Sequence, residues 1–379
     1  MTIDRIILFP YYLVLRLRDN FYRKRGARTF TPDVPSVCVG NITAGGTGKT
    51  PHVELILRML LGSPEWKDKN IAVLSRGYMR ESKGFQQVTK DGSAALFGDE
   101  PVQIKKKFPE VTVVVDKNRV EGCTLLCDPS RLNSKRYSKC WDKNLPEADY
   151  IVLDDAFQYR KLRPALSVVL VDWSRPVSRD SLLPFGRLRD LKERLFDADA
   201  VIVTKCPPDL DDNAKAGFVL SQGFESYDPV TCSAAAPGGE RRTVLFTSIS
   251  YAQIHGVYPE TEPRYVYAKK VILVSGIAKD APLRNYLSDF YKIAKRFCFP
   301  DHHKYSWSDI NSIKSALRKN PTAAIITTEK DVQRLLDFSG MPPEIRQRLL
   351  VAPIEAKFLS ERERNLFCDM ITGLKAIRS

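Results

Sequence analysis

Residues Val37 to Thr50 read Val-Cys-Val-Gly-Asn-Ile-Thr-Ala-Gly-Gly-Thr-Gly-Lys-Thr, and their types and order suit phosphate chemistry. Backbone N–H groups from Thr43, Ala44, Gly45, Gly46, Thr47 and Gly48 can converge on phosphate oxygens. Lys49 would then reach the terminal phosphates and Thr50 would offer a hydroxyl to Mg²⁺. The strict pattern has glycine where this chain has Thr43, but Gly45, Gly46 and Gly48 still supply backbone freedom. The competing reading is a glycine-rich turn that binds nothing. The apolar run Val37–Val39 before the loop and the amphipathic stretch Val53–Leu61 after it argue against that, because strand, loop and helix are the context a phosphate site needs.

Other chemistry-bearing residues follow apolar runs in the same way. Tyr150–Leu153 reads as a buried strand delivering Asp154 and Asp155, the expected place for carboxylates that complete a Mg²⁺ shell, either of which would serve. Ile71–Leu74 ends in Ser75-Arg76-Gly77-Tyr78, and Val111–Val115 is followed by Arg119. Phe97-Gly98-Asp99-Glu100-Pro101 is a helix start with acidic residues in its first turn. The loop Leu183-Pro184-Phe185-Gly186-Arg187-Leu188-Arg189-Asp190 is rich in cations. Two of the chain's four histidines adjoin in Phe299-Pro300-Asp301-His302-His303.

The elements that must position these groups are strands alternating with helical stretches, the pattern of an α/β protein with a parallel sheet. Further strands are expected at Leu166–Val171, Val201–Val203, Arg242–Tyr251, Tyr265–Val274 and Ala323–Ile326, with a helix from Pro282 to Ala294. Cys123–Glu147 shows little periodicity and reads as a surface excursion. Proline and glycine punctuate Pro207–Arg242, so the expected division is residues 1–28, a core domain at 29–240 and a smaller α/β domain at 241–379. With 379 residues, 43% hydrophobic and 27% charged, the chain has ample material for two cores. Its eight cysteines form no C-x-x-C pair and read as reduced thiols; Cys123, Cys127 and Cys140 lack a histidine to complete a metal site.

The net charge of +14 admits nucleic acid, an anionic membrane or an anionic substrate as partner. No nucleic-acid fingerprint is present, so no nucleic-acid partner is expected. The first 28 residues carry an apolar run, Ile6–Leu15, too short to cross a bilayer, beside seven cations: Arg5, Arg16, Arg18, Arg23, Lys24, Arg25 and Arg28. Such a segment either lies in an anionic membrane interface or packs on its own domain with a solvated basic face.

Taken together and in order, the motifs from Val39 to Asp331 resemble one family, the tetraacyldisaccharide 4'-kinases of lipid A biosynthesis. Those motifs are Val39–Pro51, Ser75–Tyr78, Gly98–Pro101, Asp154–Gln158, Leu183–Asp190, Phe299–His303 and Thr328–Asp331. The resemblance implies a P-loop NTPase-like sheet and transfer of the ATP γ-phosphate to the 4'-hydroxyl of an acylated glucosamine disaccharide 1-phosphate. It also implies Mg²⁺ as cofactor and an N-terminal helix seated peripherally on the cytoplasmic face of the inner membrane. By the same motifs, Asp99 would be the base with His302 as its partner, and Lys49 would act on the transferring phosphoryl group. Tyr78, Arg119, Arg189 and Asp190 would meet the substrate. Three positions depart from the family pattern: Ala156 stands for glycine, Tyr159 for histidine and Asp190 for glutamate. The Cys123–Glu147 segment is also longer than the family norm. The echo of a GTPase base-reading strand in Val201-Ile-Val-Thr-Lys205 stops there, since Thr204-Lys205-Cys206-Pro207 is not Asn-Lys-x-Asp.

Overall fold

Strand and helix periodicities settle where each apolar side chain goes. In the computed structural model, which describes residues 9–24, 29–277 and 279–377, α1 spans Phe9–Lys24. Arg5, Arg25 and Arg28 lie outside the described residues, as does the start of the apolar run at Ile6.

The core then runs β1 (Ser36–Gly40), α2 (Lys49–Gly62), β2 (Ile71–Ser75), β3 (Gln86–Gln87), α3 (Ala94–Phe97), α4 (Asp99–Lys107), β4 (Thr112–Val115) and α5 (Arg119–Cys127). It continues through β5 (Tyr150–Asp154), β6 (Leu166–Asp172), β7 (Ala200–Thr204), α6 (Asp212–Ser221), β8 (Ser226–Asp228), β9 (Ser233–Ala235) and β10 (Arg241–Tyr251). The second lobe holds β11 (His255–Gly256), β12 (Lys270–Ser275), α7 (Ala281–Ser288), β13 (Lys292–Cys298), α8 (Trp307–Lys319), β14 (Ala324–Thr328), α9 (Glu329–Leu336), α10 (Pro343–Arg346) and β15 (Leu349–Ala352). The chain ends with β16 (Ile354–Phe358) and α11 (Glu361–Thr372).

The large sheet runs β3-β4-β2-β5-β1-β6-β7-β10-β9-β8, with β16 also paired to β10. The pairs from β4 through β10 are parallel. Its central strands are buried on both faces: Val37, Val39, Tyr150 and Val152 enter one core, while Cys38, Ile151 and Leu153 enter the other. α2 covers the first of these with Val53, Ile56, Leu57 and Leu60, one face of a 3.6-residue helix. The second sheet, β11-β15-β14-β12-β13, is sandwiched in the same way, with Val271 and Leu273 facing one core and Ile272 and Val274 the other.

Four sequence expectations change. The boundary at residue 240 does not hold, because β10 belongs to the large sheet and β16 pairs back onto it from the far end of the chain. Phe367 and Ile371 of α11 then fill the core beneath α2, and Trp66 Nε1 and Tyr150 Oη donate to the carbonyls of Thr372 and Ile371. The second lobe is thus an insertion of roughly residues 252–353 rather than a C-terminal half. Residues Pro263–Tyr267 form a 3₁₀ turn in place of the start of a strand. The helix expected to reach Ala294 ends at Ser288, since Lys292–Cys298 pairs parallel with β12 and edge pairing overrides the helical pattern. Finally, Cys123–Glu147 is not a surface excursion: Cys123, Leu125, Leu126, Leu132, Cys140 and Leu145 are buried in the core. All eight cysteines are free, and among the described residues no cluster of three or more His, Cys, Asp or Glu side chains could hold a metal ion.

Candidate active site

The phosphate loop leaves β1 between its neighbours β5 and β6 and enters α2, at the C-terminal edge where open parallel sheets bind ligands. Gly45 and Gly48 take φ values of 107° and 88°, the left-handed region that glycine alone enters cheaply. Thr43 instead forms an antiparallel bridge to Leu188, and an extended residue has no need to be glycine, which accounts for the departure from the strict pattern. The Leu183–Asp190 loop braces the phosphate loop further: Ala44 N donates to Arg187 O (2.6 Å) and Arg189 N donates to Ile42 O (2.8 Å). Asn41 Nδ2 donates to Thr47 Oγ1 at 2.8 Å, and Thr204 Oγ1 donates to Thr47 O at 2.9 Å. A cleft opens beside the loop, bounded on its far side by Asp172, Arg175, Asp180 and Arg187.

Lys49 and Thr50 begin α2, and Lys49 Nζ lies 3.8 Å from Asp155 Oδ1. Asp154 accepts from Ser75 Oγ at 2.9 Å, which ties the ends of β2 and β5 together. Burial, with Asp155 beside it, pushes the Asp154 carboxyl up to about 6. Asp155, with φ 49°, is only partly buried; desolvation raises its carboxyl, yet Lys49 and Arg189 hold it below the ordinary carboxylate range. Arg189 donates from Nη2 to Asn41 and to Asp155 (3.3 Å), placing its guanidinium at the phosphate loop.

At the start of α4, Gly98 has φ 96°, and a Cβ there would meet Gly77 Cα at 3.2 Å. The Ser75–Tyr78 turn therefore packs directly on the backbone that presents Asp99. His302 reaches the same carboxylate from the second lobe, with Nδ1 3.1 Å from Asp99 Oδ2. Tyr78, 59% exposed, has its ring centroid 5.4 Å from that of His302. Burial opposes the charge of Asp99, but the hydrogen bond with His302 and the ion pair with Arg334 hold its carboxyl below the usual range. His302 adopts φ 61°, which turns neighbouring side chains apart. His303 accordingly faces Asp309 (3.0 Å) and stacks on Phe299.

Two expected substrate contacts lie elsewhere. Arg119 is 2% exposed and donates to the carbonyls of Asp116 (2.6 Å) and Asp154 (2.8 Å), so it braces the strand end that carries the paired aspartates. Asp190 is fully buried and accepts from Arg160 Nη2 and Arg18 Nη2, both at 3.1 Å. Arg160 also binds Asp19 at 2.6 Å, so this network staples α1 to the loop that carries Arg189. Sequence reasoning passed over Asn41, Arg160 and Arg334, and weighed Lys205 only as the end of a guanine-reading strand. Lys205, with its ammonium on Gly46 O and 2.7 Å from Asp172, stood at the end of an expected strand, and that position was the available signal. Tyr159, where the sequence resemblance implies histidine, donates to Asn118 Oδ1 at 2.9 Å.

Known proteins resemble this chain over nearly its whole length. The profile of the family described as tetraacyldisaccharide-1-P 4'-kinase matches residues 5–372. The tetraacyldisaccharide 4'-kinase of Phocaeicola vulgatus is 37% identical over 348 residues, covering 90% of this chain and 86% of its own. That of Parabacteroides distasonis is 36% identical over 365 residues, covering 94% and 90%. Among solved structures, the "apo" form of LpxK from Aquifex aeolicus in complex with ATP superposes with a TM-score of 0.68 over 98% of this chain and 99% of its own. At 24% identity, that likeness is one of fold.

Proposed function

Because the chain belongs to the tetraacyldisaccharide-1-P 4'-kinase family, and so is an ATP-dependent kinase of lipid A biosynthesis, we propose how its residues divide the reaction. The backbone N–H groups of Thr43–Gly48 and the start of α2 receive the phosphates of ATP, with Lys49 on the terminal ones. Thr50, Asp154 and Asp155 hold Mg²⁺. Hard oxygen donors and a buried carboxyl that rises to about 6 beside a second carboxylate fit a small divalent cation. When bound, the ion supplies charge neutralisation on the phosphate oxygens.

The 4'-hydroxyl of the lipid disaccharide attacks the γ-phosphorus. A new O–P bond forms, the bond from phosphorus to the bridging oxygen breaks, ADP leaves, and the hydroxyl proton passes to Asp99. Arg189 faces the phosphate oxygens and Tyr78 lines the sugar side. The observation that carries this reading is the 3.1 Å contact between Asp99 and His302, two groups from different lobes brought to one place beside the Ser75–Tyr78 turn.

The reading extends to the membrane. On α1, Phe9, Leu13, Val14, Leu17 and Phe21 are exposed along one helical face, while Leu15 and the Asp19–Arg160 pair fix the opposite face to the body. No helix among the described residues is long and apolar enough to cross a membrane. An apolar stripe flanked by Arg16 and Arg18 suits a peripheral seat on an anionic surface, the cytoplasmic face of the inner membrane.

The test is direct: purified protein, ATP, Mg²⁺ and tetraacyldisaccharide 1-phosphate should give one ADP per 4'-phosphorylated lipid, with ATP far preferred to GTP. Absence of lipid product under those conditions, or equal use of GTP, overturns the assignment. Binding to anionic vesicles that survives deletion of residues 1–25 would remove the membrane role of α1.

A further inference from the structure

Lys330 and Arg334 stand one helical turn apart on α9, and they engage opposite ends of the Asp99–His302 contact. Lys330 Nζ lies 3.3 Å from His302 Nε2. An ammonium has three N–H donors and no acceptor, so this nitrogen of the neutral ring must accept. Arg334 Nη2, also a donor only, lies 3.2 Å from Nδ1 and donates to Asp99 Oδ2, whereas a proton on Nε2 would meet Lys330 with the nearest carboxylate, Asp301, 3.8 Å away. The ring proton is therefore placed on Nδ1, 3.1 Å from Asp99 Oδ2, and His302 donates to the carboxylate. Arg334 approaches from the other side. Its Nε lies 3.1 Å from Oδ1 and 3.0 Å from Oδ2, and its Nη2 donates to Oδ2. Oδ2 is thereby crowded with donors, while Oδ1 keeps a lone pair for the incoming hydroxyl proton. Arg334 is itself fixed by Asp331 (3.5 Å) and the Gly276 carbonyl (3.5 Å), so its fork is held rather than swinging.

Resting on the assignment of Asp99 as proton acceptor, we propose that Lys330 and Arg334 are positioning residues for the transfer. Lys330 selects the Nδ1–H tautomer of His302, and Arg334 orients the Asp99 carboxylate and keeps it ionised with Oδ1 available. Neither needs to touch substrate. Both come from the second lobe, so the pair is set for catalysis only while α9 lies against α4. The charged groups facing Asp99 are His302, Arg334 and Lys330, with the carboxylates of Asp301, Asp331, Asp337 and Glu100 around those cations. Removing either cation leaves Asp99 in a more negative surrounding, so its carboxyl must rise and the acidic limb of the rate profile must move to higher pH.

The experiment measures kcat and kcat/KM against pH for the full chain with saturating ATP, Mg²⁺ and lipid. Arg334→Gln should lower kcat roughly 10–100-fold and move the acidic limb up by about one pH unit, with the KM for ATP nearly unchanged. Arg334→Lys should restore part of the shift. Lys330→Met should move the limb less, and Lys330→Arg should restore it. The ¹⁵N resonances of the His302 ring should report Nδ1–H in the unmodified protein and lose that preference in Lys330→Met. Variants that lower kcat without moving the limb, or an Nε2–H ring in the unmodified protein, overturn the proposal. If Arg334→Gln fails to fold, Arg334→Lys and the Lys330 pair carry the same test. A fully active Asp99→Asn protein would sink the base assignment itself, an outcome separate from either of these.

Discussion

The phosphate loop and the proposed acid–base pair are built in opposite ways. Thr43–Thr50 is contiguous, hangs from one strand, and is braced by loops of the same sheet. Asp99 and His302 are 203 residues apart and meet only because an inserted lobe lays α9 against α4. That meeting has its own lock: Lys107 Nζ joins buried Glu54 of α2 (2.6 Å) to Glu329 of α9 (2.7 Å), and Ala95 N donates to Asp337 (3.0 Å). The proposed phosphate site is therefore preformed by local geometry, whereas the proposed base is assembled where the two lobes meet. Changes in the first should act on the chemistry of phosphate; changes in the second should act on proton removal and spare nucleotide binding.

The largest effect tests the first half of that contrast. Lys49→Ala should abolish measurable turnover, a loss on the order of 10³-fold or more, because in the proposed mechanism this ammonium stabilises charge on the transferring group. Near-normal kcat in a folded Lys49→Ala protein would leave the loop without its assigned role. For the second half, Asp99→Ala and His302→Ala should each cost about 10²–10⁴-fold in kcat with little change in the KM for ATP. The double variant should be scarcely worse than the worse single one, since groups acting as a unit are non-additive. Losses that multiply would mean the two act separately.

The same contrast governs what can be read from sequence. The loop, the strands β1, β2 and β5, and the aspartates at Asp154 and Asp155 follow from apolar runs and their endings, because a buried parallel strand and its C-terminal edge leave a local signature. Asp99 and His302 carried no such signature beyond a helix start and a histidine doublet; only their motif resemblance joined them. Arg334 and Arg160 were invisible because an arginine in a polar stretch looks alike whether it pairs across lobes or faces water. Arg119 and Asp190 misled for a related reason. Each sits at a loop beside the site, and only tertiary packing decides that one braces carbonyls and the other is buried among arginines. The return of β16 and α11 to the first sheet likewise leaves no local trace.

A smaller effect concerns the stability of the phosphate-loop side. His52, in the first turn of α2, is buried, with Nδ1 2.7 Å from Gly48 O and Nε2 2.9 Å from Thr247 Oγ1. Burial lowers its folded-state value to about 4. The unfolded chain, near the usual ~6.5, binds a proton first as pH falls. Stability is therefore intact near neutrality and declines between about pH 6.5 and 4, by up to roughly 3 kcal/mol from this group. His52→Gln should flatten that part of the profile in denaturant unfolding at pH 7 and 4.5. Equal declines in both proteins would show that His52 does not link the loop to pH.

The smallest effect is the sharpest control on the pair. His303 follows His302 directly, yet its Nε2 lies 3.0 Å from Asp309 Oδ2 and its ring stacks on Phe299 with centroids 4.4 Å apart. Asp309 closes the capping box of α8 with Ser306, so His303 supports a helix start rather than the cleft. His303→Ala removes one hydrogen bond and one stacked ring, which should cost about 1 kcal/mol of stability. The Asp99 carboxylate, held by Arg334 and His302, stays where it was, so kcat should change less than about twofold while His302→Ala loses at least 10²-fold. A thermal melt and a kcat measured on the same preparation separate the two expectations. If the folded His303→Ala protein loses as much kcat as His302→Ala, the left-handed turn at His302 does not divide the doublet as its φ of 61° implies, and the base partner must be reassigned.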